Sequence, residues 1–249
     1  MASSTPSLPA KPARRFATTR WSLILQARRR DEAPARAALE ELCQAYWLPV
    51  YAFMRRQTND AHKAQDFTQG FFQTLLTRDA FALANPAMGR FRSFLLAAAK
   101  NFVCNEWDKQ NAVTRGGRVV LQSLDFEFGE QQLSHELSHE QSPEAIFEKR
   151  WALAMLDRVL NRLRTEYELA ARGTLFESLA EHLSGTTADE LLIDVALRLE
   201  MSHEAVRVAL HRLRKRYRHI LRDEISQTTE SAEDIDDEIR QLFRILSTP

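Results

Sequence analysis

Apolar residues recur along most of this chain at steps of three and four, the period of an α-helix. From Arg36 to Arg56 the stripe is Leu39, Leu42, Cys43, Tyr46, Val50 and Phe53, with Pro49 expected to kink or break the helix. Asp60 is placed to cap a second helix, striped by Ala64, Phe67, Phe71 and Leu75. A loop at Asn85 to Gly89 precedes a third helix, from about Arg90 to Lys109, with Phe91, Phe94, Leu95, Ala98 and Phe102 inward. Periodicity then stops between residues 111 and 142. Ser142-Pro143-Glu144 restarts it with a cap, a proline and an acid in the first turn. That helix carries Leu153, Leu156, Leu160 and Leu163 to about Tyr167. A shorter one holds Leu175, Phe176, Leu179 and Leu183 and ends at Gly185. Thr187 and Glu190 form a capping box for the next, striped by Leu192, Val195, Ala196 and Leu199. Glu200-Met201-Ser202 separates it from a last helix capped by Ser202.

The expected fold is therefore all-α: two small helical domains joined by a flexible linker, the second with a helix-turn-helix. The 249 residues suffice for one large or two small domains. We place a flexible arm at 1–19, a first helical domain at 20–110, the linker at 111–142, a helix-turn-helix domain at 143–225 and an acidic amphipathic extension at 226–249. A structureless loop as long as 111–142 would be unusual inside one domain, which is why it reads as a linker.

Composition excludes several classes. The chain has seven glycines and no Gly-rich phosphate loop, so no nucleotide cofactor is expected, nor any other. The two cysteines, Cys43 and Cys104, read as reduced, buried thiols of a cytoplasmic protein. No apolar run is long enough for a membrane span, so no membrane insertion is expected. One motif invites an enzyme: "HELSH", residues 135–139, fits the H-E-x-x-H zinc-hydrolase helix, with His135 and His139 as ligands and Glu136 as base. Its frame, "FGEQQLSHELSHEQSPEA", has too few apolar residues to pack such a helix. It reads as solvated linker, no metal site is expected, and the zinc hydrolase stays as a rival reading.

Charge changes the picture more. The formal net charge is zero, yet His203 to Arg222 holds seven Arg/Lys against the single acid Glu204, and Asp223 to Glu238 holds eight acids and no Arg or Lys. In the last helix Val206, Leu210, Leu213 and Tyr217 form the buried stripe, while His203, Arg207, His211 and Arg214 share another face that suits a DNA groove. Arg212, Lys215, Arg216 and Arg218 flank it and suit phosphates. The N-terminal members of that groove face lie nearest the base edges. The tail "SAEDIDDEIRQLFRIL" puts Ile235, Ile239, Leu242 and Leu246 on one stripe. It is read as a helix that packs on the second domain, shields the basic helix or binds a partner.

Four segments, in order, carry a resemblance: "ELCQAYWLPVYAFMRR", "AQDFTQGFFQTLL", "GRFRSFLLAAAKNFVCNEWDK" and "MSHEAVRVALHRLRKRYR". Over roughly residues 20–225 the chain resembles bacterial RNA polymerase sigma factors of the extracytoplasmic-function class. The resemblance implies a non-enzymatic factor that recruits RNA polymerase core to promoters and initiates transcription. It implies docking on the polymerase clamp helices through Asp66, Gln69 and Phe72, although Gly70 stands where the family usually has an acid. It implies promoter melting through Arg90, Arg92, Lys100, Asn101 and Asn105. Upstream-element contacts would come from Ser202, His203, Glu204, Arg207, His211, Arg212, Arg214 and Lys215. The implied partners are core polymerase, promoter double-stranded DNA, its melted single strand, and an anti-sigma factor or other regulator. A helix-turn-helix regulator without polymerase docking is the alternative.

Overall fold

The structure, a computed structural model, describes residues 32–75, 90–110, 124–133, 141–185, 189–229 and 231–247. Among them it is all-helical, with α1 at Glu32–Thr58, α2 at Ala61–Leu75, α3 at Phe91–Gln110, α4 at Phe126–Leu133, α5 at Pro143–Leu169, α6 at Gly173–Ala180, α7 at Asp189–Arg198, α8 at His203–Ser226 and α9 at Ala232–Leu246. The arm at 1–19, the loop at 85–89, the HELSH motif and Thr187 lie outside the described residues.

The core forms along α1 and α5. Tyr46, Val50 and Phe53 of α1 and Phe147, Trp151 and Met155 of α5 are buried, and the indole N–H of Trp151 donates to the Tyr46 hydroxyl over 3.2 Å. That bond satisfies both polar ends inside an apolar contact. Burial in turn pushes the Tyr46 phenol pKa up. The helices 32–58 and 143–169 thus pack directly on each other, so one continuous core spans both sides of the 111–142 segment. α2, α3 and α4 lie against α1, while α6, α8 and α9 lie against α5.

Three details differ from the pattern reading. α1 runs unbroken through Pro49. The 111–142 segment holds a helix of its own. In it, Phe126 sits edge-on to Trp47 at 6.0 Å, Leu133 is buried, and Gly129 lies so near Tyr51 that a Cβ would come within 3.1 Å of its ring. The Tyr51 hydroxyl and Arg55 both donate to Glu130, over 2.6 and 2.9 Å. A short helix persists here through tertiary contact, not propensity. Finally, the fully inward residues of α5 are Phe147, Trp151, Met155, Val159 and Leu163, whereas Leu153, Leu156 and Leu160 are half-buried. α5 is covered by α1 on one side and α8 on another, so two overlapping stripes are used.

The helix ends follow local chemistry. Ser142 caps α5 and Ser202 caps α8, each hydroxyl accepting from the backbone N–H three residues on, at 3.1 and 3.2 Å. α7 closes with Glu200 at φ 53° and the Met201 N–H bonded to the Ala196 carbonyl at 3.0 Å. This is the left-handed C-terminal closure that usually takes glycine. No helix among the described residues is long and apolar enough to cross a membrane.

Candidate nucleic-acid interface

α8 buries Val206, Leu210 and Leu213 and turns its cations outward. Arg207, His211, Arg212, Lys215 and Arg218 are exposed, and Arg207, Arg212 and Lys215 make no ion pair with any described residue. Steps of four carry Arg207, His211 and Lys215 down one line of the helix surface, reaching Arg218 three residues later. Unpaired guanidinium and ammonium groups on one solvent face suit phosphate oxygens and guanine edges. Glu204 is exposed in the first turn, and Val208 adds a 39 % exposed apolar spot beside Arg207.

Some residues expected on this face are used otherwise. Arg214 is half-buried and donates to the carbonyls of His182 (Nη2, 2.7 Å) and Gly185 (2.9 Å), tying α8 to the end of α6. It does not point to a groove; Lys215 takes its place on the outward line. The Ser202 hydroxyl is committed to its cap, and His203 is half-buried. Arg216 grips Glu166 through two bonds of 2.6 Å, which holds the Glu166 carboxyl below the usual range. It is a strut between α8 and α5.

The start of α3 departs further. Arg92 is 6 % exposed. Its guanidinium makes a bidentate pair with Glu238 of α9 at 2.8 and 2.9 Å, pairs with Glu148 of α5, and stacks 4.3 Å from the Trp151 ring. Arg90 bonds Glu238 at 2.9 Å, with Asp237 at 3.5 Å and Asp234 at 3.6 Å. The Phe91 N–H donates to the Thr228 carbonyl at 3.0 Å, so the chain before α3 is pinned to the α8–α9 turn. Two of the cations expected to touch melted DNA are therefore held by carboxylates. Lys100 is also paired, 2.8 Å from Glu144, and lowers the pKa of that acid. The acids of the tail face α3 more than α8: among the described residues only Asp236 reaches an α8 cation, Arg222.

Asn101 and Asn105 are exposed at the wall of a cavity of about 400 Å³ between α2 and α3, with Phe71, Leu75, Phe94 and Phe102 as its apolar lining. Cys104, expected to be buried like Cys43, is exposed at the same wall because it falls on the outer side of α3. An apolar slot with two amides at its rim has the composition that accepts a flat polar-edged group. Trp107, 41 % exposed, lies nearby on α3 with the Lys63 ammonium 3.7 Å from its ring centroid.

On α2, Asp66 is exposed and Gln69 half-exposed, as a docking surface requires. Phe72 is not available for docking: it is 1 % exposed and packs against Phe71, because α2 buries two adjacent aromatics between its neighbours. Gly70 has a structural reason. A Cβ there would stand 3.2 Å from Phe102 Cζ, so a larger residue needs the Phe102 ring to give way by a few tenths of an ångström.

Glu238, Glu148 and Glu144 were missed as partners. One signal existed for Glu238: it sits between Ile235 and Leu242 on the apolar stripe of the tail, and a carboxylate buried there requires a cation. No group of three or more potential metal ligands occurs among the described residues. Comparison of the chain with protein-family models, with curated proteins and with solved structures returned no match.

Proposed function

We infer that this chain is a transcription initiation factor of the sigma type, which brings RNA polymerase core to promoters. The observation that carries the reading is the α8 surface: a four-residue turn after α7, a serine-capped helix, and an outward line of Arg207, His211, Lys215 and Arg218 that has no ion pair with an acid among the described residues. α7, the turn and α8 support a helix-turn-helix. In it Arg207 and His211 contact base edges, and Arg212, Lys215 and Arg218 hold the backbone. Asp66 and Gln69 on α2 supply the polymerase contact. Asn101 and Asn105, with the cavity behind them, receive an unstacked base during melting.

A second reading has its own support. With Phe72 in the core and Gly70 carrying no charge, the docking set shrinks to Asp66 and Gln69. This favours a helix-turn-helix regulator that acts without binding polymerase. Run-off transcription with purified core polymerase, on genomic fragments that include the region upstream of its own gene, tests the first reading. Specific transcripts that need this protein support it. Promoter binding without capture of core polymerase favours the regulator.

A further inference from the structure

The two arginines at the start of α3 raise a conflict. If α3 melts promoter DNA, Arg90 and Arg92 stand where phosphates must be met, yet both are bound by α9. We propose that α9 is a displaceable clasp, whose carboxylates Asp234, Asp237 and Glu238 occupy the phosphate sites of Arg90 and Arg92 until single-stranded DNA competes for them. The proposal rests on the melting role inferred for α3.

Geometry supports it in three ways. Asp234, Asp237 and Glu238 surround the single Arg90 guanidinium within 3.6 Å, as phosphate oxygens would. The Arg90 side chain keeps 22 % exposure and Asp237 keeps 49 %, so a competing anion can approach from the rim. α9 is also the last described helix and meets the body along one stripe, with Ile235 and Leu242 inward and Phe243 55 % exposed on the far side. Such an element can leave as a unit without opening the α1–α5 core. Buried ion pairs are poor sources of net stability, because desolvation offsets the attraction. That makes exchange for another anion feasible.

The test uses the full chain and a labelled oligothymidylate. Asp234→Asn with Asp237→Asn removes two of the carboxylates at Arg90 while keeping the Ser231 cap oxygen and the apolar stripe. Asp237→Asn alone serves if the pair destabilises α9, since Asp237 has no cap role. Glu233→Gln with Glu177→Gln is the charge-matched control, because both are exposed and neither pairs with a described cation. The clasp variant should bind about threefold to tenfold tighter, with a salt dependence steeper by about 0.7 in log–log slope for the cation released. The control should match the parent, and adding Arg90→Ala should abolish the gain. Hydrogen exchange in the parent should show α9 amides losing protection when the oligonucleotide is added. Equal affinity and slope in clasp and control variants, or α9 equally protected with and without DNA, overturns the proposal. Capture of core polymerase by the same proteins separates the two failures: parent and variants that capture core but share one DNA affinity sink the clasp alone, whereas no capture and no DNA binding sink the sigma reading with it.

Discussion

Arg92 at the start of α3 is held by carboxylates from α5 and α9, whereas Arg207 on α8 faces solvent and forms no ion pair with any described residue. Both are arginines on helices, each within a few residues of other cations. What separates them is burial. Arg92 falls between Phe91 and Phe94 on the inward side of α3, so its charge had to be met inside the protein. Arg207 is next to the inward Val206 but on the outer face, where water meets the charge. A basic residue that folding does not use is available for a ligand. One that folding uses must first be released.

The sharpest break in this comparison is Glu238→Ala. It strips the bidentate partner from Arg92 and one bond from Arg90, while Glu148 remains. Removing one member of a buried pair typically costs about 3–5 kcal/mol; with Glu148 still present we expect the low end, about 3 kcal/mol. Chemical denaturation monitored by circular dichroism measures it. A loss below about 0.5 kcal/mol would mean that Arg92 is as well solvated as a surface arginine.

Arg207→Ala should do the reverse. Folding stability should stay unchanged, and promoter affinity should fall by about 1–3 kcal/mol at one base position if the guanidinium reads a guanine. Binding titrations across single-base variants of the site distinguish this from a phosphate contact, which would weaken all sequences equally. A large drop in thermal stability would place Arg207 with Arg92 and erase the contrast.

The contrast was half legible in the sequence. In α2, α3 and α8 one apolar stripe dominates and announced them, and the residues Val206, Leu210 and Leu213 were read correctly as the inner side of α8. α5 is covered on two faces, and there the leucine stripe pointed about one residue away from Trp151 and Met155. α4 has only eight residues and depends on Trp47 and Tyr51, far earlier in the chain, so no local pattern revealed it. The outward cations of α8 were legible because exposure follows from helical phase. The captivity of Arg90 and Arg92 was not, since Glu238 lies 146 residues beyond Arg92 and Glu148 lies on another helix, and no periodicity links them. Arg214 failed for a related reason: helical phase put it at the edge of the face, and carbonyls at His182 and Gly185 drew it in.

Acid should move two further cations from the held set to the released one. The Glu144 carboxyl is held below its ordinary value of 4.5 by the hydrogen bond from Lys100, and Glu166 likewise by Arg216. Depressed carboxylates contribute stability that is complete above the ordinary value and lost as pH falls through the folded one. Stability should therefore hold down to about pH 4.5 and decline below it. The four side chains are 32 % to 46 % exposed, so solvent screening keeps each pair's share below about 1 kcal/mol. Glu166→Gln should flatten part of that decline in acid unfolding curves; an identical curve would mean that the Arg216 strut contributes nothing.

The smallest effect concerns the turn that aims the outward cations. Glu200 sits at φ 53°, in the left-handed region, between α7 and α8. That conformation costs a non-glycine residue about 1–2 kcal/mol, and glycine removes the strain. Glycine also widens the unfolded ensemble, which takes back about 0.4–1 kcal/mol. Glu200→Gly should thus stabilise the fold by only about 0.5 kcal/mol, the difference of those two terms. Its value lies in what should not change. The Met201 N–H to Ala196 carbonyl bond and the Ser202 cap need no Glu200 side chain, so α8 should keep its direction and promoter affinity should stay within twofold of the parent. A stabilised variant with lost promoter binding would show that the Glu200 carboxylate takes part in recognition, and that the recognition surface extends into the turn before α8.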